Sequence, residues 1–253
     1  MIMRPVIAIA IALGSSSAWA EHDHHAVDHG DDSAFGAGVT MVAASYETMF
    51  YAGNYQGVQP GASWSNRRFA IGASAALYRI ERNGASYYGF GDVVVHGQAV
   101  LVQGEQVRAG VMAGVAAPVG DDRHGLGMGH PMVMPAAYVA YAGGRVAATA
   151  SAGYSRAIAG DSDHDHGMQP IVDPMNASEL TWSGATSYSI TRRLQAGARV
   201  SGGVPIGDGD HRVVGAARVV WLEGRFTTAA ELQAGIAGDP FTVRGVVSTA
   251  MTF

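Results

Sequence analysis

The sequence predicts an all-β fold: an antiparallel transmembrane β-barrel of about twelve strands, preceded by a cleaved signal peptide. Three observations carry this expectation. The last thirteen residues, FTVRGVVSTAMTF, alternate and end on an aromatic residue. Phe241, Val243, Val247, Met251 and Phe253 share one face, while Thr242, Arg244, Ser248 and Thr252 share the other. Beyond residue 20, no apolar run approaches the roughly 18–20 residues of a helical span. Charged residues are only 15% of the chain, against about 25% in soluble proteins, so a surface facing water on every side would be short of charge.

From the N-terminus, residues 1–20 read as a secretory signal peptide. Arg4 supplies the positive start, Val6 to Leu13 the apolar stretch, and Ala18-Trp19-Ala20 the small-residue cleavage site. Residues 21–34 follow as a polar, acidic arm, expected to be disordered and periplasmic. The barrel is then expected over 35–253. The chain contains no Cys, so a secreted protein of this length needs another means of holding itself together. Closure of a barrel provides one, through continuous backbone pairing.

Membrane strands alternate apolar residues toward lipid with polar or small ones toward the lumen. Two strands are expected in 36–48 and 54–64, followed by strands near 67–81, 88–102, 106–118, 132–142, 145–158, 179–190, 193–204, 212–222, 225–237 and 241–253. The alternation is clear in 193–204. There Leu194, Ala196, Ala198, Val200 and Val204 face out, and Arg193, Gln195, Arg199 and Ser201 face in. In 225–236, Phe226, Leu232 and Ile236 face out, and Arg225, Glu231 and Gln233 face in. In 88–102, Val93, Val95, Ala99 and Leu101 oppose Asp92, His96 and Gln98. Ten strands is the competing count, because Pro60 lies in 54–64 and proline is tolerated in strands chiefly at edges and bulges.

The connections fall into two kinds. SNRR (65–68), QGEQ (103–106), AGGR (142–145), ITRR (190–193) and EGR (223–225) are short, while 82–87, 119–131, 159–178 and 205–211 are longer and more polar. Short periplasmic turns and long outer loops are the habit of bacterial outer-membrane barrels, which is the expected location. Trp64, Trp182, Trp221, Tyr46, Tyr78, Tyr88, Tyr154 and Tyr188 lie toward strand ends, where aromatic girdles belong.

YGFGDVVVHGQAVLV, followed by VRAGVMAGVAAPVGDD, carries a G-x-G-D strand start and a strand ending in Pro-x-Gly-Asp. This pattern, with ELTWSGATSYSITRRLQAGARVSG, resembles the proteobacterial outer-membrane transporter family of the MetA-pathway-of-phenol-degradation type. The resemblance spans about 88–253. It implies an outer-membrane barrel with a transport role and no defined substrate.

For function, the lumen set is His96, Gln98, Arg108, Gln195, Arg199, Arg218, Glu231, Gln233 and Arg244. These residues would line the path of a small solute, or fill a narrow interior by Arg–Glu pairing. Histidine is concentrated outside the strands: His22, His24, His25 and His29 in the arm, His124 and His130 in one loop, and His164 and His166 in another. Imidazole suits Cu(II) and Zn, and methionine thioether suits Cu(I), so these tracts are the expected sites of metal contact. No cofactor is required by any motif. The expected function is therefore a channel or transporter for small solutes, in contact with outer-membrane lipid. The alternatives are a Cu- or Zn-capturing surface protein and a structural barrel with a closed lumen. The net charge of −5 argues against nucleic acid, and no nucleophile motif supports an enzyme. Oligomeric state is left open.

Overall fold

The computed structural model describes residues 33–158 and 171–253. The predicted signal peptide and nearly all of the predicted arm lie outside the described residues. The strands are β1 (Ala34–Glu47), β2 (Ala52–Ser65), β3 (Phe69–Ser74), β4 (Leu77–Arg82), β5 (Ala85–Phe90), β6 (Val93–Gln103) and β7 (Val107–Ala117). They continue as β8 (Met132–Gly143), β9 (Val146–Ala157), β10 (Ser178–Ser189), β11 (Leu194–Pro205), β12 (Arg212–Glu223), β13 (Phe226–Ala237) and β14 (Phe241–Thr252). All pairings are antiparallel, and β1 pairs with both β2 and β14, which closes the sheet into a barrel. β3 with β4 makes one wall strand, and β5 with β6 another, so the wall has twelve strands.

Pro60 explains the first of these breaks. β2 pairs with β3 from Gly61 to Ser65 and with β4 from Gly53 to Val58. It changes partner at Pro60, which has no N–H to give; its carbonyl instead accepts from Ala75 N at 3.2 Å. Proline therefore marks a joint within the wall rather than the loss of two strands. The matching joint between β5 and β6 is at Gly91-Asp92, where Gly91 N donates to Ala76 O at 2.9 Å. A second interruption lies between β8 and β9, whose ladder skips from Val133–Arg156 to Ala136–Gly153 around Pro135.

The short turns at 66–68, 104–106, 144–145, 190–193 and 224–225 lie with Phe253 at one end of the barrel. The other end carries the longer β7–β8, β9–β10 and β11–β12 connections together with the short turns 48–51, 83–84 and 238–240, so that 82–87, expected as a longer connection, is a tight Asn83-Gly84 turn. By the habit of such barrels, the first end is periplasmic and the second faces outward. The periplasmic rim carries exposed Phe35, Phe69, Tyr141, Tyr188, Trp221, Phe226 and Phe253 on its outer surface, an aromatic girdle. Between the rims the outer wall is Val-, Leu- and Ile-rich, including Val95, Val111, Val139, Val200, Val219, Leu232 and Val247. A wall of exposed apolar side chains around a closed sheet belongs in hydrocarbon, and the barrel spans a membrane.

Several expected orientations are overturned. Phe241 faces the lumen and is 1% exposed. The β1–β14 register jumps between Ser45 and Tyr46, so that Tyr46 pairs with Phe241 and Thr242 is the extra residue. A bulge of one residue inverts the parity beyond it. Tyr46 and Tyr78 are not girdle residues but are buried inside the outer end. Arg193 and Arg225 do not point inward. Both are exposed at the periplasmic turns, where Arg193 pairs with Glu223 at 3.2 Å.

Candidate functional site: a two-tiered lumen

The register lines up the polar interior. Arg199, Ala216, Gln233, Arg244, Ala44 and Tyr55 form one cross-strand row running from β11 through β14 and β1 to β2. Gly197, Arg218 and Glu231 begin the next row toward the periplasm. Side chains then connect the rows. Arg199 Nη2 donates to Glu231 Oε1 at 2.6 Å, and Gln233 Nε2 donates to the same oxygen. Arg244 Nε donates to Gln233 Oε1 at 2.6 Å. The result is a belt of charge-assisted hydrogen bonds along one side of the lumen, which holds long side chains in fixed directions.

Arg244 is where the belt meets the outer tier. Its Nη1 donates to the Tyr55 hydroxyl and to Asp173 Oδ1, each at 3.2 Å, and its guanidinium lies 3.9 Å from the centre of the Phe241 ring. Asp173 belongs not to the wall but to residues 171–176, which lead into β10 and fold into the barrel mouth. Ile171 and Val172 are buried there against Tyr55, Tyr78, Ile80, Leu126 and Phe241. Their N–H groups both donate to Gly125 O, at 3.0 and 3.1 Å, so this strap is tied to the β7–β8 loop. Arg212 donates to Pro174 O and to Glu179, and Asn176 Nδ2 donates to Glu179 Oε2 at 2.7 Å. Asp173 has φ of +52°, a left-handed conformation that Asp accepts more readily than most residues.

The β7–β8 loop is anchored from below by Asp92, at the joint between β5 and β6. Its Oδ1 accepts from Gly120 N at 2.9 Å and its Oδ2 from Met128 N at 2.8 Å. The close approach needs glycine. A Cβ on Gly120 or Gly127 would fall 2.7–2.8 Å from Asp92 Oδ1 and from the other glycine's Cα. The G-x-G-D and Pro-x-Gly-Asp segments singled out in the sequence are thus the two halves of one clasp, Asp92 on one side and Gly120 on the other. Asp239, in the turn between β13 and β14, is another acidic group at this end. Burial pushes its carboxyl up to about 6 against the pull of Arg244 and Arg212, and its Oδ2 accepts no hydrogen bond from the described residues.

The structure brings some of the sequence-predicted lumen residues together and separates others. Gln195, Arg199, Arg218 and Glu231 share one cavity with Thr149 and Ser187. Gln233 and Arg244 continue this group outward. His96, Gln98 and Arg108 also face in but on the opposite wall, His96 lying over Gly72 and Gln98 between Ala70 and Met112. Sequence reasoning missed Asp92, Asp173, Glu179, Arg212 and the tyrosines Tyr55 and Tyr78 as parts of the site. Only Asp92 carried a signal, through the G-x-G-D pattern.

For the expected metal residues, His124 Nδ1 lies 2.6 Å from Asp121 Oδ2, and its ring stacks on Tyr87 at 4.2 Å. His130 sits six residues on in the same loop. Among the described residues no group of three or more His, Asp or Glu side chains is arranged to hold a metal ion. His22, His24, His25, His29, His164 and His166 lie outside the described residues.

No protein-family model matches the chain, and no curated protein matches its sequence. Solved structures do match. An outer-membrane channel from Pseudomonas putida F1 superposes with a TM-score of 0.64 at 10% identity over 100% of both chains. The KdgM porin gives 0.55 at 8% identity over 86% of this chain and 99% of that one. The NanC porin gives 0.54 at 10% identity over 84% of this chain and 98% of that one. At such identities the likeness is one of fold: this chain is a twelve-stranded outer-membrane barrel built as those channels and porins are.

Proposed function

We propose that this protein is an outer-membrane channel for small solutes, closed at its outer mouth by its own loops in the described state. The observation that carries the reading is the division of the lumen. The inner tier is lined by Gln195, Arg199, Arg218 and Glu231 and contains a cavity. The outer tier is filled partly from the wall, by Tyr46, Tyr55, Tyr78, Ile80, Val214 and Phe241, and partly by Leu126 of the β7–β8 loop and Ile171 and Val172 of residues 171–176, which are connections rather than wall. A structural barrel would fill its interior from the strands alone. Here connections complete the filling, held by hydrogen bonds, the Arg244–Asp173 pair and the apolar contacts of Leu126, Ile171 and Val172, and they can leave without unpairing any strand. Arg108, Arg199 and Arg218 outnumber Glu231 in the inner tier, which favours anionic or polar solutes over cations.

Resemblance to the MetA-pathway type of transporter, and to channels and porins in fold, supports transport over catalysis. Metal capture by imidazole enters this reading only through the arm at 21–34 and the loop carrying His164 and His166, since His124 is engaged by Asp121. The test is single-channel recording of the refolded mature protein in a planar bilayer, with and without micromolar Cu(II). Stepwise conductance that rises when the strap is loosened supports the channel. A silent bilayer for both the wild type and a loosened-strap variant removes it in favour of a closed, structural barrel.

A further inference from the structure

The methionines of the outer tier are concentrated in one place. Met128 and Met132 are buried with Val94 and Ala116, and Met134 and Met175 pack against them. The adjoining cluster around Tyr55, Tyr78 and Phe241 fills the same end of the barrel and contains no methionine. The four side chains come from separate segments. Met128 lies in the β7–β8 loop, Met132 and Met134 two residues apart on the lumen face of β8, and Met175 in the strap that leads to β10. Met112, on the lumen face of β7, stands beside this group, with Gly114 paired to Met134 and Met112 paired to Ala136.

Packing alone explains this poorly. Methionine loses about 1.5–2 kcal/mol of rotamer entropy on burial, whereas leucine and isoleucine lose about half as much and specify a unique arrangement better. Gathering four thioethers at one junction is favourable when sulfur itself is wanted. We propose that Met128, Met132, Met134 and Met175 form a thioether site for a soft monovalent cation, Cu(I), at the outer end of the lumen. Neutral thioether sulfur is matched to Cu(I) and poorly matched to Zn or to hard cations. Asp92, whose carboxylate accepts the Met128 backbone N–H at 2.8 Å, supplies a negative charge to the same loop. The site also bridges the two inward-folded segments, so an ion bound there would tie the strap and the β7–β8 loop together. It is distinct from any imidazole site in the arm. It depends on the channel reading only for the ion's route in, because binding is measured here rather than conductance.

The experiment is an anaerobic competition titration of the full mature protein with Cu(I) held by a chromophoric chelator, with copper-edge X-ray absorption on the loaded protein. Three proteins are compared: wild type, a variant with His22, His24, His25 and His29 changed to Ala, and a variant with Met128, Met132, Met134 and Met175 changed to Leu. Methionine-to-leucine exchange conserves volume, and barrel formation is checked by the heat-dependent gel shift of each protein. The expected result is one equivalent of Cu(I) in a sulfur-dominated shell, kept in the histidine variant and lost in the leucine variant. If the fourfold variant does not fold, Met134→Leu with Met175→Leu alone weakens binding at least tenfold. Absence of Cu(I) uptake overturns the proposal. So does a sulfur shell unchanged by leucine, or a shell of nitrogen and oxygen that disappears with the arm histidines.

Discussion

Replacing Asp173 by Asn tests whether the strap is a closure that can be released. Asn keeps the size of the side chain and tolerates the left-handed backbone at φ +52°. It removes the charge that faces Arg244 Nη1 at 3.2 Å. At an effective dielectric near 20, a unit pair at that distance is worth about 5 kcal/mol before desolvation. Arg244 retains Tyr55 and Gln233 as partners, so the net loss is nearer the ~2–3 kcal/mol of one charge-assisted hydrogen bond. That shifts the balance between held and released strap by about 30- to 150-fold. In planar bilayers the variant should spend a correspondingly larger fraction of time in its high-conductance level, with barrel thermal stability close to wild type. Recordings that match wild type in conductance and in dwell times would refute the reasoning, and would mean that the apolar contacts of Ile171 and Val172 hold the strap by themselves.

Asp239 gives a pH test. Its carboxyl is pushed up to about 6, so the folded state favours the neutral acid, and this contribution to stability is lost as pH rises from about 4 through about 6. Asp239→Asn should match wild type in urea unfolding near pH 4 and exceed it by up to about 3 kcal/mol at pH 7; a difference constant with pH refutes it. Gly127→Ala forces a Cβ against Asp92 and Gly120 and should cost about 1–3 kcal/mol in the same assay, while loosening the β7–β8 loop to protease. Val111→Arg, on the exposed outer wall between the rims, should destabilise by about 2–4 kcal/mol in lipid vesicles; a neutral result would mean that this face does not meet hydrocarbon. Glu231→Gln frees Arg199 from its 2.6 Å partner and should move the reversal potential further toward anions.

Most of the wall was legible because its signal is local. Period-two alternation and short polar turns placed twelve strands within a few residues, and Pro60 misled only the competing count. The exceptions are places where one residue resets the pattern. Phe241 looks outward in the sequence because no local feature announces the bulge at Thr242. The belt from Gln195 to Arg244 was legible as a set of inward residues, since parity alone selects them. Its connection to Asp173 was not legible. Residues 171–176 read as a solvated loop, and their burial depends on Arg212, Arg244 and Gly125, which are 36 or more positions away in the chain. Tyr46 and Tyr78 were misplaced for the same reason. An aromatic near a strand end suits a lipid interface and a filled barrel mouth equally well.

The clasp at Asp92 grips peptide N–H groups, not side chains. Whatever residues the outer segments display to the surroundings, the carboxylate meets the same two amide protons at Gly120 and Met128. The exposed face around Asp122 and Arg123 therefore takes no part in the Asp92 contacts. Such a surface can change its identity residue by residue while the loop stays seated on Asp92.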